Sequence, residues 1–299
     1  MEYPVQWEET IRILSNPPFK GIIFVLGGPD TGKTTFSLAL ADRALKRGAR
    51  VGIVDSDVGQ STFGPPTTIG LVVASEPKED LKVLKPASLH FVGDNSPRGH
   101  MLETLVGAKR MVDKARDMGC NLIVVDTSGL IAHPFGEALK YHKINLTSPD
   151  YIVALQRGKE LEPILRSIWT FSRYRIHRLP VPPEVRILSR EERIRIRKNA
   201  YQRYFANSKV LSLPLRSLAL YPPGIDLAGG IELFNLVLGL KDSRGELLGI
   251  GILTGYDAET DILKVLTPVI NARISGLVFG SIRLRNFGQE IGRVAPWQL

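Results

Sequence analysis

The octapeptide Gly27-Gly28-Pro29-Asp30-Thr31-Gly32-Lys33-Thr34 constrains this chain more than any other stretch. It fits G-x-x-x-x-G-K-[ST], a loop whose backbone N–H groups cradle nucleotide phosphates. The run before it, Gly21-Ile22-Ile23-Phe24-Val25-Leu26, is apolar and strand-sized. The run after it, from Lys33 to about Lys46, puts Phe36, Leu40, Ala44 and Leu45 on one helical face. Strand, glycine loop and helix therefore come in the order that phosphate binding requires. A helix start offers unpaired N–H groups and a positive dipole end to an anion. Gly28, Pro29, Asp30, Thr31, Gly32, Lys33, Thr34 and Thr35 are the expected nucleotide contacts. Lys33 is expected on the β and γ phosphates and the Thr34 hydroxyl on Mg²⁺, with Thr35 nearer the α phosphate.

Composition narrows the setting. The chain has 299 residues, 43% hydrophobic and 23% charged, the balance of an ordinary globular protein with room for one or two domains. Its longest apolar runs are strand-sized, so no membrane partner is expected. The N-terminus is acidic and lacks an apolar core, which argues against export. A single cysteine, Cys120, excludes an internal disulfide and suits a reducing, cytoplasmic compartment, where its position at the start of an apolar run predicts a buried, inert thiol. The net charge is +9. From Arg157 to Arg203 there are 13 Lys and Arg against 5 Asp and Glu, so nearly the whole excess lies in one stretch, the pattern of a polyanion-binding surface.

Further strands are predicted at Ala49–Val54, Leu89–Val92, Asn121–Val125 and Tyr151–Leu155, with helices at Val5–Leu14 and about Leu102–Met118. Strands alternating with helices imply a mostly parallel sheet with helices on both faces, the α/β architecture of a phosphate-loop NTPase. Ligands bind at the carboxyl ends of such strands. Polar clusters follow the strands directly: Asp55-Ser56-Asp57-Val58-Gly59-Gln60, Gly93-Asp94-Asn95-Ser96-Pro97 and Asp126-Thr127-Ser128-Gly129. They are expected to converge with the phosphate loop. From about Val210 the runs become short and glycine-rich, which predicts a small C-terminal antiparallel β domain, barrel-like in character. The expected domains are 1–207, including an arginine lid at about 185–205, and 208–299.

Two acidic strand ends compete for the metal. Val124-Val125-Asp126 is an apolar strand ending in Asp, and Asp55-x-Asp57 offers two carboxylates on a strand read as lying next to the loop. Asp57 has a second use, since a carboxylate near the γ phosphate can accept a proton from an attacking hydroxyl. In the basic stretch, Ser189-Arg190-Glu191-Glu192 is a capping box that starts a helix. On it Arg190, Arg193 and Arg197 share a face with Ile194, Tyr201 and Tyr204, as expected of a lid that stabilises charge on a transferring phosphoryl group.

Together, the phosphate loop, D-x-D-x-G-Q at 55–60, Val92–Pro97, Thr127-Ser128-Gly129 and the arginine-rich lid resemble the polynucleotide 5′-hydroxyl kinases. That family includes the kinase-like subunit of the pre-mRNA cleavage complex and the kinase of ribosomal RNA spacer processing. The resemblance covers about residues 20–205, and D-x-D-x-G-Q is its most specific part. It implies ATP- or NTP-dependent phosphorylation of a 5′-hydroxyl on RNA, sometimes DNA, with Mg²⁺. Carried over, Lys33 and Thr34 bind phosphate and metal, and Asp57 activates the 5′-hydroxyl and helps to position the metal. Gln60 lines the site. Thr127 and Gly129 match the T-x-G-W clasp that holds the substrate end, Ser128 lies between them, and Arg193 and Arg197 match the R-x-x-x-R lid, with Arg190 one turn before. The clasp tryptophan is Leu130 here. Two other readings share these motifs: an inactive ATP-binding scaffold of an RNA-processing complex, and a partitioning-type switch ATPase. Nothing in the sequence identifies a protein partner.

Overall fold

The computed structural model describes residues 3–18, 20–78, 80–225, 227, 233–270, 273–285 and 288–295. Met1 and Glu2 of the acidic N-terminus lie outside them. In chain order the elements are α1 (Val5–Leu14), β1 (Gly21–Gly27), α2 (Lys33–Leu45), β2 (Val51–Ser56), β3 (Thr68–Ala74), β4 (Ser88–Phe91), α3 (Met101–Asp117), β5 (Leu122–Thr127), α4 (Phe135–Thr147), β6 (Tyr151–Gln156), α5 (Glu162–Arg166), β7 (Arg175–Pro180), α6 (Arg190–Phe205), β8 (Lys209–Pro214), β9 (Ala219–Tyr221), β10 (Leu236–Lys241), β11 (Leu247–Asp257), β12 (Ile262–Thr267), β13 (Gly276–Arg285) and β14 (Gln289–Arg293).

These elements form two compact units. One comprises Met1–Asp57, Ile69–Ser88 and Thr104–Leu188, and the other Val58–Thr68, Leu89–Glu103 and Ser189–Leu299. A single cut at 207/208 follows the change in composition along the chain, whereas the units interleave. Helix α6 and the Gly93–Pro97 cluster fall in the second.

In the first unit the strands run β3-β2-β5-β1-β6-β7. All neighbours are parallel except β3, which pairs antiparallel with β2. Strands covered on both faces should be apolar throughout rather than alternating, and β2 and β5 are buried at every residue. Phe36, Leu40, Ala44 and Leu45 of α2 face the core as their spacing predicts. Register corrects one expectation. The strand beside β1 is β5, with Val25 opposite Asp126, and β2 lies one strand further out, with Asp55 opposite Asp126. Asp126, not Asp55 or Asp57, is therefore on the strand adjoining the phosphate loop.

In the second unit the strands run β14-β13-β10-β11-β12-β8, and β9 pairs parallel with β13. The other pairings are antiparallel. Successive residues point to opposite faces of a strand, and β10 shows it. Leu236, Leu238 and Leu240 enter one core cluster, while Val237 enters another with Phe91, Ile250, Ile282 and Tyr201 and Phe205 of α6. Among the described residues no helix is long and apolar enough to cross a membrane.

Candidate active site

The phosphate loop leaves β1 at its carboxyl end, and its shape depends on close packing. Gly32 has φ 83°, a left-handed conformation in which residues other than glycine are strained. A Cβ there would also lie 2.8 Å from the ring of Trp7, a residue only 2% exposed. Trp7 stands edge-on to Phe36 at 5.5 Å between ring centres and donates its Nε1–H to the carbonyl of Pro180 at 2.9 Å. Helix α1 thus braces the loop with its tryptophan. Within the loop Lys33 Nζ donates to the Gly28 carbonyl at 2.6 Å, and Thr31 Oγ1 donates to the same oxygen. Pro29 and Thr35 are exposed and Gly28 is buried. Asp30 accepts from Leu188 N at 2.9 Å through its side chain and from Arg157 through its carbonyl.

The acids sort themselves by contact. Thr34 Oγ1 donates to Asp126 Oδ2 at 2.5 Å. Asp126 is buried, and its other oxygen, Oδ1, has no hydrogen-bond partner. Burial pushes its carboxyl up to about 6, against the pull of Lys33 and the Thr34 hydroxyl. A buried carboxylate with one oxygen engaged and one unsatisfied, beside a hydroxyl, is suited to a divalent cation, since Mg²⁺ is commonly held by one or two carboxylates together with substrate phosphates. Asp55 is also buried, but its Oδ1 accepts from the Asp57 backbone N–H at 3.0 Å, a local turn cap. Asp57 follows it, half-buried.

Thr127 ends β5, and Ser128, Gly129 and Leu130 follow it, with Gly129 against the phosphate loop. A Cβ on Gly129 would come within 2.7 Å of Pro29 N, so only glycine allows this approach. The Thr127 hydroxyl is fully buried and donates to the Val25 carbonyl at 2.8 Å. It ties β5 to β1, a different task from direct contact with substrate. Ser128 Oγ is buried without a hydrogen-bond partner, and Leu130 is half-buried. Two fully buried lysines of α4 complete this side: Lys140 Nζ donates to the Ser128 carbonyl at 2.5 Å and Lys143 Nζ to Ser56 Oγ at 3.1 Å. Burial pushes both ammonium groups down, Lys143 to about 8, while Asp57 and Asp126 pull the other way. Neither lysine stands out in the sequence. Both occupy the stripe that the rest of α4 uses for its core, and lysines in that stripe conceal the helix from its periodicity.

Gln60, Arg190, Arg193 and Arg197 belong to the second unit. The capping box forms as read, Ser189 Oγ accepting from Glu192 N at 3.1 Å and Glu192 Oε2 from Ser189 N at 2.8 Å. Arg193, Arg197 and Tyr204 are partly buried and Tyr201 fully, while Arg190 and Ile194 are exposed. Arg197 Nε donates to Glu290 at 2.7 Å, and Glu290 also accepts from Asn95, which receives a bond from Arg293. The basic stretch is not one surface of free cations. It divides between the units at Leu188/Ser189, and Arg157, Arg178 and Arg197 already have partners within their own unit.

The family model for the P-loop of the mRNA cleavage and polyadenylation factor CLP1 matches residues 27–207, more than half of the chain. This protein belongs to the CLP1 P-loop family. The P-loop family implies nucleotide binding, and the matched region begins at the phosphate loop, at Gly27. Among curated relatives of this CLP1-family chain is the polyribonucleotide 5′-hydroxyl-kinase of Methanocaldococcus jannaschii, 33% identical over 93% of this chain and 90% of its own length. The enzyme of the same name from Pyrococcus horikoshii is 30% identical over 95% of this chain and 91% of its own. Among solved structures, Clp1p in complex with a Pcf11p segment aligns at a TM-score of 0.69, with 14% identity, over 93% of this chain and 78% of that one. That likeness is one of fold.

Proposed function

We propose that this protein is an ATP-dependent RNA 5′-hydroxyl kinase, transferring the γ-phosphate of ATP or another NTP to the 5′-hydroxyl end of RNA. One observation carries the reading. The phosphate loop and the Thr127–Gly129 segment approach closely at Pro29 and Gly129, and Asp57 directly follows the strand beside β5. A phosphate donor and a place for an acceptor thus adjoin a carboxylate. The naming of relatives aligned over nine-tenths of the chain supports the same reading.

In this scheme the loop N–H groups and Lys33 hold the transferred phosphate. The 5′-hydroxyl gives its proton to the Asp57 carboxylate as its oxygen forms the new bond to the γ phosphorus. The bond from that phosphorus to the β–γ bridging oxygen breaks, and the diphosphate leaves. Thr34 and Asp126 would hold Mg²⁺, with Asp57 close by, and the ion would neutralise charge on the β and γ oxygens. By the family resemblance Arg193 and Arg197 are lid cations, and within its own unit Arg197 is bonded to Glu290. Gln60, Ser128, Leu130 and Arg190 contribute to the acceptor side. Cys120 is free and half-buried, and burial pushes its thiol up, away from the reactive thiolate.

The test is transfer of label from γ-labelled ATP to a 5′-hydroxyl RNA oligonucleotide, with a 5′-phosphorylated control. Labelled RNA only from the hydroxyl form is expected. ATP binding without transfer overturns the reading.

A further inference from the structure

Helix α4 follows the clasp loop, and its buried stripe is Gly136, Leu139, Lys140, Lys143, Ile144 and Thr147. That spacing is the core-facing face of a helix, so two lysines stand where apolar residues belong. Both are 0% exposed. Burying an ammonium group is unfavourable unless it is hydrogen-bonded and near opposite charge. Sequences break a folding rule of this kind mainly at functional sites.

What the two lysines hold is specific. Lys143 reaches Ser56 Oγ, and Ser56 Oγ donates in turn to the Asp126 carbonyl at 2.8 Å. Ser56 sits opposite Thr127 at the ends of β2 and β5, so this chain of bonds fastens the strand end that carries Asp57. Lys140, one turn earlier, holds the carbonyl of Ser128 in the clasp loop. One helix therefore grips both ends of the acceptor side. Burial, and for Lys140 the neighbouring Lys143 and Lys33, disfavour the charge, while Asp57 and Asp126 favour it on both lysines and Asp55 also on Lys143.

We infer that Lys140 and Lys143 are positioning residues for the acceptor half of the site: Lys140 sets the Thr127–Gly129 loop that receives the RNA 5′ end, and Lys143, through Ser56, sets the strand end that presents Asp57. The inference rests on the kinase reading, and its test separates the two.

Lys140→Met and Lys143→Met keep the length and bulk of the stems and remove the charge. Three quantities are measured in the full-length protein: affinity for ATP, affinity for a fluorescent 5′-hydroxyl RNA without nucleotide, and steady-state phosphate transfer. Supporting outcomes leave ATP affinity within about threefold of wild type, which also reports a folded protein. Lys140→Met should weaken RNA binding and raise KM for RNA by about tenfold or more, and Lys143→Met should lower kcat by about 100-fold with KM for ATP unchanged. Ser56→Ala opens the second link from its other end, leaves the buried lysine in place, and should lower kcat in the same direction. Loss of ATP affinity in proportion to activity would mean a purely structural role and overturns the inference, as do kinetics within about twofold of wild type. If wild type binds ATP and transfers nothing, the kinase reading falls alone. The RNA-binding arm still decides Lys140, since equal affinity in wild type and Lys140→Met sinks it.

Discussion

Helices α2 and α4 are each 13 residues long, each starts soon after a loop at the carboxyl end of a strand, and each buries lysine. They differ in how the lysine came to be visible. Lys33 is marked by the phosphate-loop motif to which it belongs. The loop must wrap an anion, the helix must start there, and the ammonium must follow the last glycine, so the spacing is written in the sequence. Lys140 and Lys143 serve two strand ends that meet only after folding. No spacing rule records that, and their bonds to Ser128 and Ser56 cross 12 and 87 residues of chain. Chemistry imposed by a ligand is legible locally, and support imposed by the fold is not.

The sharpest way to break that comparison is Lys33→Ala. If α2 supplies the donor side alone, kcat/KM for transfer should fall by about 10³ or more, as for loss of a principal phosphate clamp. Residual transfer above about a tenth of wild type would show that another cation, Lys140 or an arginine of α6, reaches the phosphate. Asp57→Asn probes the acceptor side and should lower kcat by about 10²–10³ while ATP affinity holds. A fall in ATP affinity of the same size would move Asp57 from the proton to the metal.

Asp126 sits where the two sides join, and its charge has a sign that can be tested. Its carboxyl is raised to about 6 in the folded chain against an ordinary 3.8, burial being the chief cause. The folded state then holds a proton that the unfolded chain has lost. Stability from this group is fully present below pH 3.8 and is lost as pH rises through 6, an amount of roughly 2–3 kcal/mol. Asp126→Asn should therefore raise the melting temperature of the ligand-free protein at pH 7 more than at pH 5, and abolish any tightening of nucleotide by Mg²⁺. A variant less stable at pH 7 than at pH 5, relative to wild type, would show that the ionised carboxylate is stabilised where it lies.

Several elements were open to inspection in the sequence for the reason that Lys33 was. The apolar runs of β1, β5 and β6, the α2 stripe and the Ser189 capping box all carry local signals, and they formed where the signals lay. β7 did not announce itself because Arg175-Ile176-His177-Arg178-Leu179-Pro180 is an edge strand guarded by charge, which hides its period. α4 was hidden by Lys140 and Lys143 in its apolar stripe and by a start at Pro134 without a side-chain cap. The order of β2 and β5 about β1 was beyond reach, since a list of strands carries no register, and with it went which acidic strand end adjoins the phosphate loop. The Thr127 hydroxyl is the same lesson at one residue: its motif suggests a contact with substrate, and its bond goes to Val25. α6 belongs with the antiparallel sheet through Tyr201 and Phe205; the face of Tyr201 was legible and its neighbours were not.

Leu130 offers the mildest test and bears on the acceptor side alone. It is half-buried, follows the Gly129 that packs against Pro29, and occupies the place where the T-x-G-W resemblance would put tryptophan. Stacking of a base on an aromatic ring contributes roughly 1–3 kcal/mol, whereas a leucine offers contact area and no π face. Leu130→Trp should thus lower KM for a 5′-hydroxyl RNA by about fivefold, toward the lower end of that range because the ring must share the site with neighbours packed around leucine. KM for ATP should stay unchanged, because Lys33 and the loop amides are already held by α1 and α2. An unchanged KM for RNA would mean that the 5′-terminal base does not lie over residue 130, and that the chain orients its acceptor by Ser128 and the α4 lysines instead.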